Sequence, residues 1–197
     1  MERPFRLRGR TVAGVDEAGR GPLAGPVVAA AVILDPDRTP DGLDDSKKLS
    51  PAARSALFPR IVRSARAVGV GLASAGEIDE GNILAAARTA MIRAVRALPE
   101  PPDWAAVDGR RLTGFPIPQI AVVGGDRLVP SIAAASVVAK VLRDRLMEAL
   151  DRLLPVYGFA GHKGYPTEDH AEAIRERGAS AVHRATFHVP CAPGERR

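Results

Sequence analysis

The chain has 197 residues, a single cysteine, a formal net charge of +5 and a pI near 10.0. That length fits one domain, and a hydrophobic content of 46% supplies a core and excludes a disordered chain. Cys191 alone excludes an intramolecular disulfide or a cysteine-built zinc centre, no basic-then-apolar leader opens the sequence, and the most apolar run (27–34) is too short to span a bilayer.

Residues 10–15 read as a first strand and 27–34 as a second, closed by Asp35-Pro36-Asp37. Ser50 and Pro51 mark the cap and first turn of a helix reaching residue 65. In 67–74, Val68, Val70 and Leu72 alternate with small residues, which predicts a third strand. Residues 82–98 carry Ile83, Leu84, Ala87, Met91, Ile92 and Val95 at helical spacing, and Pro99 stops that helix. A short strand at 104–107 ends in Asp108, and a fifth at 119–123 ends at Gly124-Gly125-Asp126. Pro130 opens a long helix to residue 154; Thr167 caps a last helix that Gly178 ends. This order predicts an α/β fold with a mixed sheet and leaves the strand order open. A single domain is expected over residues 1–190, including C-terminal helices, with a frayed tail at 191–197.

The chemistry concentrates in Gly14-Val15-Asp16-Glu17-Ala18-Gly19-Arg20-Gly21-Pro22. Neighbouring strand residues face opposite ways, so Asp16 and Glu17 are expected to share a site because the strand ends at Val15 and the glycines turn the chain. Arg20, between two glycines, is placed to fork onto a phosphate. Asp16, Glu17, Asp108 and Asp126 all lie at carboxyl ends of predicted strands, the edge where open α/β sheets bind ligands. Ionised carboxylates packed there repel by roughly 4 kcal/mol per pair at ~4 Å and an effective dielectric near 20. Such a cluster calls for divalent cations or protons, and hard oxygen ligands select Mg2+ or Mn2+ over zinc. Two such ions suit an in-line displacement at phosphorus. Taken alone, Asp126 reads more readily as a turn or cap residue than as a ligand. Asp44, Asp45, Glu77 and Asp79 read as solvated turns or caps. Gly19-x-Gly21-x-x-x-Gly25 fails as a dinucleotide loop because an apolar β-run follows it, and it lacks the Gly-Lys-Ser/Thr ending of a P-loop. The positive charge suits a polyanionic partner; the excess of arginine over lysine and the abundant alanine also fit biased base composition.

The segment from Gly14 to Gly25 resembles the opening motif of bacterial ribonuclease HII. The resemblance continues through Asp45-Ser46-Lys47-Lys48-Leu49, Val107-Asp108-Gly109, Gly125-Asp126, Ala133-Ala134-Ala135-Ser136, Ala139-Lys140, Arg143-Asp144, Tyr157-Gly158-Phe159 and His162-Lys163-Gly164-Tyr165-Pro166-Thr167. Gly81, where the family has leucine, and His188 depart from the pattern. The resemblance implies a ribonuclease H-like fold, a five-stranded sheet flanked by helices with a C-terminal helical region. It implies that Asp16, Glu17, Asp108 and Asp126 are the catalytic metal ligands. By the same resemblance Gly19, Arg20 and Gly21 contact the backbone around a ribonucleotide, and Tyr165 packs on the sugar at the RNA–DNA junction. Lys47 and Arg184 are expected phosphate contacts, with a plain surface role open for Lys47 and for His183-Arg184, and a loop-anchor role open for Tyr165. His162, His170 and His188 read as surface or structural.

The expected activity is therefore a cytoplasmic, monomeric, metal-dependent endonuclease, with Mn2+ or Mg2+ as cofactor and no membrane partner. It would cut the RNA strand of RNA–DNA hybrids, and the 5′ side of single ribonucleotides in duplex DNA, leaving 3′-hydroxyl and 5′-phosphate ends. The alternatives are a non-catalytic nucleic-acid-binding protein, for which carboxylates facing phosphate have no use, and another nuclease of the same fold.

Overall fold

A computed structural model describes residues 10–189; the tail expected at 191–197 lies outside them. Five strands, β1 (Val12–Ala18), β2 (Val27–Ile33), β3 (Ala67–Ala73), β4 (Trp104–Asp108) and β5 (Gln119–Val122), form one mixed sheet in the order β3-β2-β1-β4-β5. The β1–β2 and β2–β3 pairs are antiparallel; β1–β4 and β4–β5 are parallel. The helices are α1 (Pro51–Ser64), α2 (Ala75–Glu80), α3 (Ile83–Arg96), α4 (Pro130–Leu153), α5 (Phe159–His162) and α6 (Glu168–Arg177). None is long and apolar enough to cross a membrane.

β2 is apolar at every position because both its faces are covered. Val27, Ala29, Ala31 and Ile33 pack with α3 residues such as Ala90, Met91 and Ala94. Ala30 and Val32 pack with α1 and α4 through Leu57, Ile61, Ala134 and Val138. The helix ends follow their chemical signals. Ser50, Asn82 and Thr167 accept backbone N–H groups of the first turns they precede.

The third strand follows its prediction, and the end of the first is corrected. The third strand is present, but Val70 and Leu72 are exposed while Gly69, Gly71 and Ala73 are buried. α3 lies so close that a Cβ on Gly71 would meet the Ala90 carbonyl oxygen and the Ala94 nitrogen. The small residues, not the branched ones, therefore make the buried face. The first strand does not stop at Val15. The ladder with β2 continues through Asp16↔Ala30, Glu17↔Ala29 and Ala18↔Val28, so no turn separates the two acids.

Candidate active site

Strand alternation sends Asp16 and Glu17 to opposite faces of the sheet. Ala13 and Val15, in register with Glu17, pack on the α3 side, whereas Gly14, in register with Asp16, abuts the α4 backbone at Ser131. What unites them is Asp108. The parallel pair Val15↔Val107 is followed on both strands by an acid, so Asp108 stands at the sheet edge within reach of both charges. Asp126 joins from the short 3-10 turn Gly125–Arg127 beyond β5, where the Gly125 N–H donates to Asp108 Oδ1 at 2.7 Å.

Their electrostatics are those of crowded acids. Burial, then Glu17 and Asp108, push the Asp16 carboxyl well above its ordinary range. Against this, the Glu17 N–H donates to Asp16 Oδ1 at 2.7 Å. Ser136, tied to Ser46 by an Oγ–Oγ bond of 2.7 Å, also favours the ionised form of Asp16. Burial raises Glu17 too, opposed by Arg20, whose Nη1 lies 3.3 Å from Glu17 Oε1. Burial followed by Asp45 and Asp108 raises Asp126. Among the described residues no three of these carboxylates converge on a single point; Asp16, Glu17 and Asp108 each take a protein partner. The donor set is nonetheless all carboxylate oxygen, hard, and gathered on one edge, which fits Mg2+ or Mn2+.

Asp45, which reads in the sequence as a solvated turn acid, is instead buried, at 2% exposed. It accepts the Lys47 N–H at 2.9 Å and pairs with Arg127 Nε at 3.3 Å. Burial raises its pKa, but the Lys47 N–H, Asp126 and the cations outweigh burial and hold it low. The two shifts run in opposite directions, Asp126 up and Asp45 down. Lys47 is exposed at this rim, its charge felt by Asp126.

The loop after β1 is fixed by two buried guanidiniums. Arg143, fully buried, donates from Nε to the Pro26 carbonyl (3.1 Å), from Nη1 to Lys163 (3.0 Å) and from Nη2 to Ala24 (3.1 Å). Gly19 has φ +97°, and a Cβ there would collide with Arg143 Nε, so glycine is required twice over. Arg184, expected to contact phosphate, is corrected: it is 2% exposed and faces inward. Its donors go to the Gly25 (3.0 and 2.8 Å), Arg20 (2.9 Å) and Gly19 (2.6 Å) carbonyls. Charge-assisted bonds of this kind hold a backbone rigidly. Burial lowers the Arg184 pKa to about 10 and lowers that of Arg143.

Tyr165 is 41% exposed, and its ring edge faces Gly21, where an added Cβ would lie 3.7 Å from Tyr165 Cε1. Its carbonyl ends a chain of histidines. The Ser180 N–H donates to His183 Nδ1 (3.0 Å), leaving the proton on His183 Nε2 to face His170 Nε2 (3.1 Å). His170 Nδ1 in turn donates to the Tyr165 carbonyl at 2.9 Å. His162 stacks on His170, with centroids 4.3 Å apart. Burial lowers the His170 pKa to about 4 and lowers that of His183 as well. His183 is thus structural, and the reading of His162 and His170 as structural agrees with this placement.

A groove of about 910 Å³ opens on the α3 side, bordered by Glu17, Asp108, the start of α3 and residues 109–113.

A family model described as "Ribonuclease HII" matches residues 13–189. The Ribonuclease HII of Geobacillus kaustophilus is 56% identical over 178 residues, covering 90% of this chain and 68% of that protein. The Ribonuclease HII of Shewanella amazonensis is 55% identical over 186 residues, covering 94% and 90%. The crystal structure of ribonuclease H2 from Pyrococcus horikoshii OT3 superposes with a TM-score of 0.75 at 28% identity, covering 91% of this chain and 94% of that one.

Proposed function

From the premise that the chain belongs to the ribonuclease HII family and is a metal-dependent endoribonuclease, we propose that it cuts the RNA strand of RNA–DNA hybrids and the 5′ side of single ribonucleotides in duplex DNA. The observation that supports this best is the carboxylate edge around Asp108, which draws on β1, β4 and the turn after β5. Asp16, Glu17, Asp108 and Asp126 would hold two Mg2+ or Mn2+ ions. The chemistry such ions supply is activation of a water and stabilisation of the leaving oxygen, which gives 3′-hydroxyl and 5′-phosphate ends.

The protein's own residues do the selecting. Gly21 leaves bare backbone beside the Tyr165 ring, a slot in which a 2′-hydroxyl would find backbone partners and a sugar a flat face. A plain deoxyribose leaves those polar groups unpaired, which is how such a slot rejects DNA. Arg20, half exposed beside Glu17, and Lys47 at the opposite rim are placed for phosphates. The protein is read as acting as a monomer.

The test is cleavage, with Mn2+ or Mg2+, of a duplex carrying one ribonucleotide against the same duplex in all-DNA form. A cut only 5′ of the ribonucleotide is expected, and equal cutting of both overturns the reading. Asp16→Asn should keep hybrid binding and lose cleavage to below a tenth of the wild-type rate.

A further inference from the structure

The groove on the α3 side is not used by the slot between Gly21 and Tyr165. Its lining includes Glu17, Arg20 and Asp108. Its outer walls carry Arg88 on α3 and Arg110 and Arg111 on the segment after β4. Arg110 and Arg111 are exposed and Arg88 is half-buried. Among the described residues, none of these three guanidiniums takes part in an ion pair. Two exposed apolar side chains, Leu84 (63%) and Val123 (81%), also line it.

A ligand matching these walls needs negative charges spaced along a chain, with apolar or aromatic faces between them. It must also run continuously into the carboxylate edge. A nucleic-acid strand has that chemistry: phosphodiesters for the arginines, sugars or bases for Leu84 and Val123. The slot at Tyr165 lies toward α4, where Lys140 and Arg143 approach its ring at 5.8 and 5.9 Å. The groove lies on the α3 side of the same sheet edge. A duplex crossing the acids therefore meets the slot on one flank and the groove on the other.

We propose that this groove is a phosphodiester-binding subsite for one flank of the substrate duplex, with Arg110 and Arg111 making the phosphate contacts and Arg88 closing the wall. This rests on the reading of the protein as a nuclease of ribonucleotide-containing duplexes. It predicts a footprint longer than the junction itself.

The experiment compares wild type, Arg110→Ala/Arg111→Ala and, as a surface control, Arg60→Ala. Binding to a ribonucleotide-containing duplex is followed by fluorescence anisotropy, with Ca2+ in place of the catalytic metal. Both groove residues are exposed, so folding is preserved and is checked by circular dichroism. The double variant should lower the slope of log affinity against log salt by roughly 1.8, about 0.9 for each lost contact, with Arg60→Ala unchanged. Shortening the duplex on one flank should abolish the difference between wild type and double variant; shortening the other flank should leave it. A wild-type slope in the double variant, or no dependence on which flank is cut back, overturns the subsite. Wild-type cleavage of the full duplex is scored separately. Its loss would refute the nuclease reading, whereas normal cleavage with an unaltered slope in the variant refutes the groove alone.

Discussion

Replacing Arg184 by lysine distinguishes a brace from a phosphate contact. Arg184 donates four hydrogen bonds to three carbonyls, those of Gly19, Arg20 and Gly25, from a buried position. A lysine ammonium reaching the same space keeps one of those carbonyls and strands two. Each buried carbonyl left unpaired costs about 1–3 kcal/mol, so Arg184→Lys should lose roughly 2–6 kcal/mol. Part of that loss will emerge as loosening of the 19–25 loop before global unfolding. Urea denaturation reads the total, and amide hydrogen exchange at Gly19 and Gly21 reads the local share. The salt dependence of hybrid binding supplies the counter-test. A brace leaves the slope of log affinity against log salt untouched, while loss of a phosphate contact lowers it by about 0.9. Arg184→Lys with wild-type stability and a lowered slope would refute the bracing role and return Arg184 to the substrate surface.

Three further outcomes are expected. Tyr165→Ala should slow cleavage at a single embedded ribonucleotide roughly 5- to 150-fold, from ~1–3 kcal/mol of lost ring packing, with an unchanged circular dichroism spectrum; an unchanged rate would make it a loop anchor only. His170, with a folded pKa of about 4 against an ordinary 6.5, binds its proton more weakly folded than unfolded, so the stability it confers is complete above about pH 6.5 and lost as pH falls toward 4. That loss is up to about 3 kcal/mol, and His170→Asn should flatten the acid limb of a stability–pH curve measured by urea denaturation. Gly71→Ala should destabilise by about 1–3 kcal/mol or more, because the new Cβ meets the α3 backbone, and differential scanning calorimetry should show a matching fall in Tm.

The helices and strands are legible in the sequence wherever their signals are local. Ser50, Asn82 and Thr167 announce helix starts because the groups they satisfy lie within three residues. The face of β3 is not legible. Alternation reports a period, but which phase is buried depends on how closely α3 approaches, and here it lies against bare glycine backbone. The four acids are legible as a set, from their place at strand ends. How Asp16 and Glu17 cooperate is not, since it depends on Asp108 arriving on a parallel neighbour more than ninety residues later. Asp45 escapes composition and spacing alike, because its partners Asp126 and Arg127 lie on a turn some eighty residues later. The one pointer to it is its place in the Asp45-Ser46-Lys47-Lys48-Leu49 block. The bracing roles of Arg143 and Arg184 are not legible in the sequence because the carbonyls that hold them belong to the loop after β1.

The histidine chain has a mechanical meaning. His183 ends a run of hydrogen bonds that reaches the Tyr165 carbonyl, and the next residue, Arg184, grips the carbonyls of Gly19 and Arg20. The ring and the glycine strip opposite it are thus two jaws hung from one dipeptide hinge-pin. Both sides of the gap between Tyr165 and Gly21 are therefore tied to adjacent residues, which sets its width in the folded protein. On the proposed function, a sugar would be measured against that preset aperture, and a substrate that does not fit would be turned away rather than accommodated.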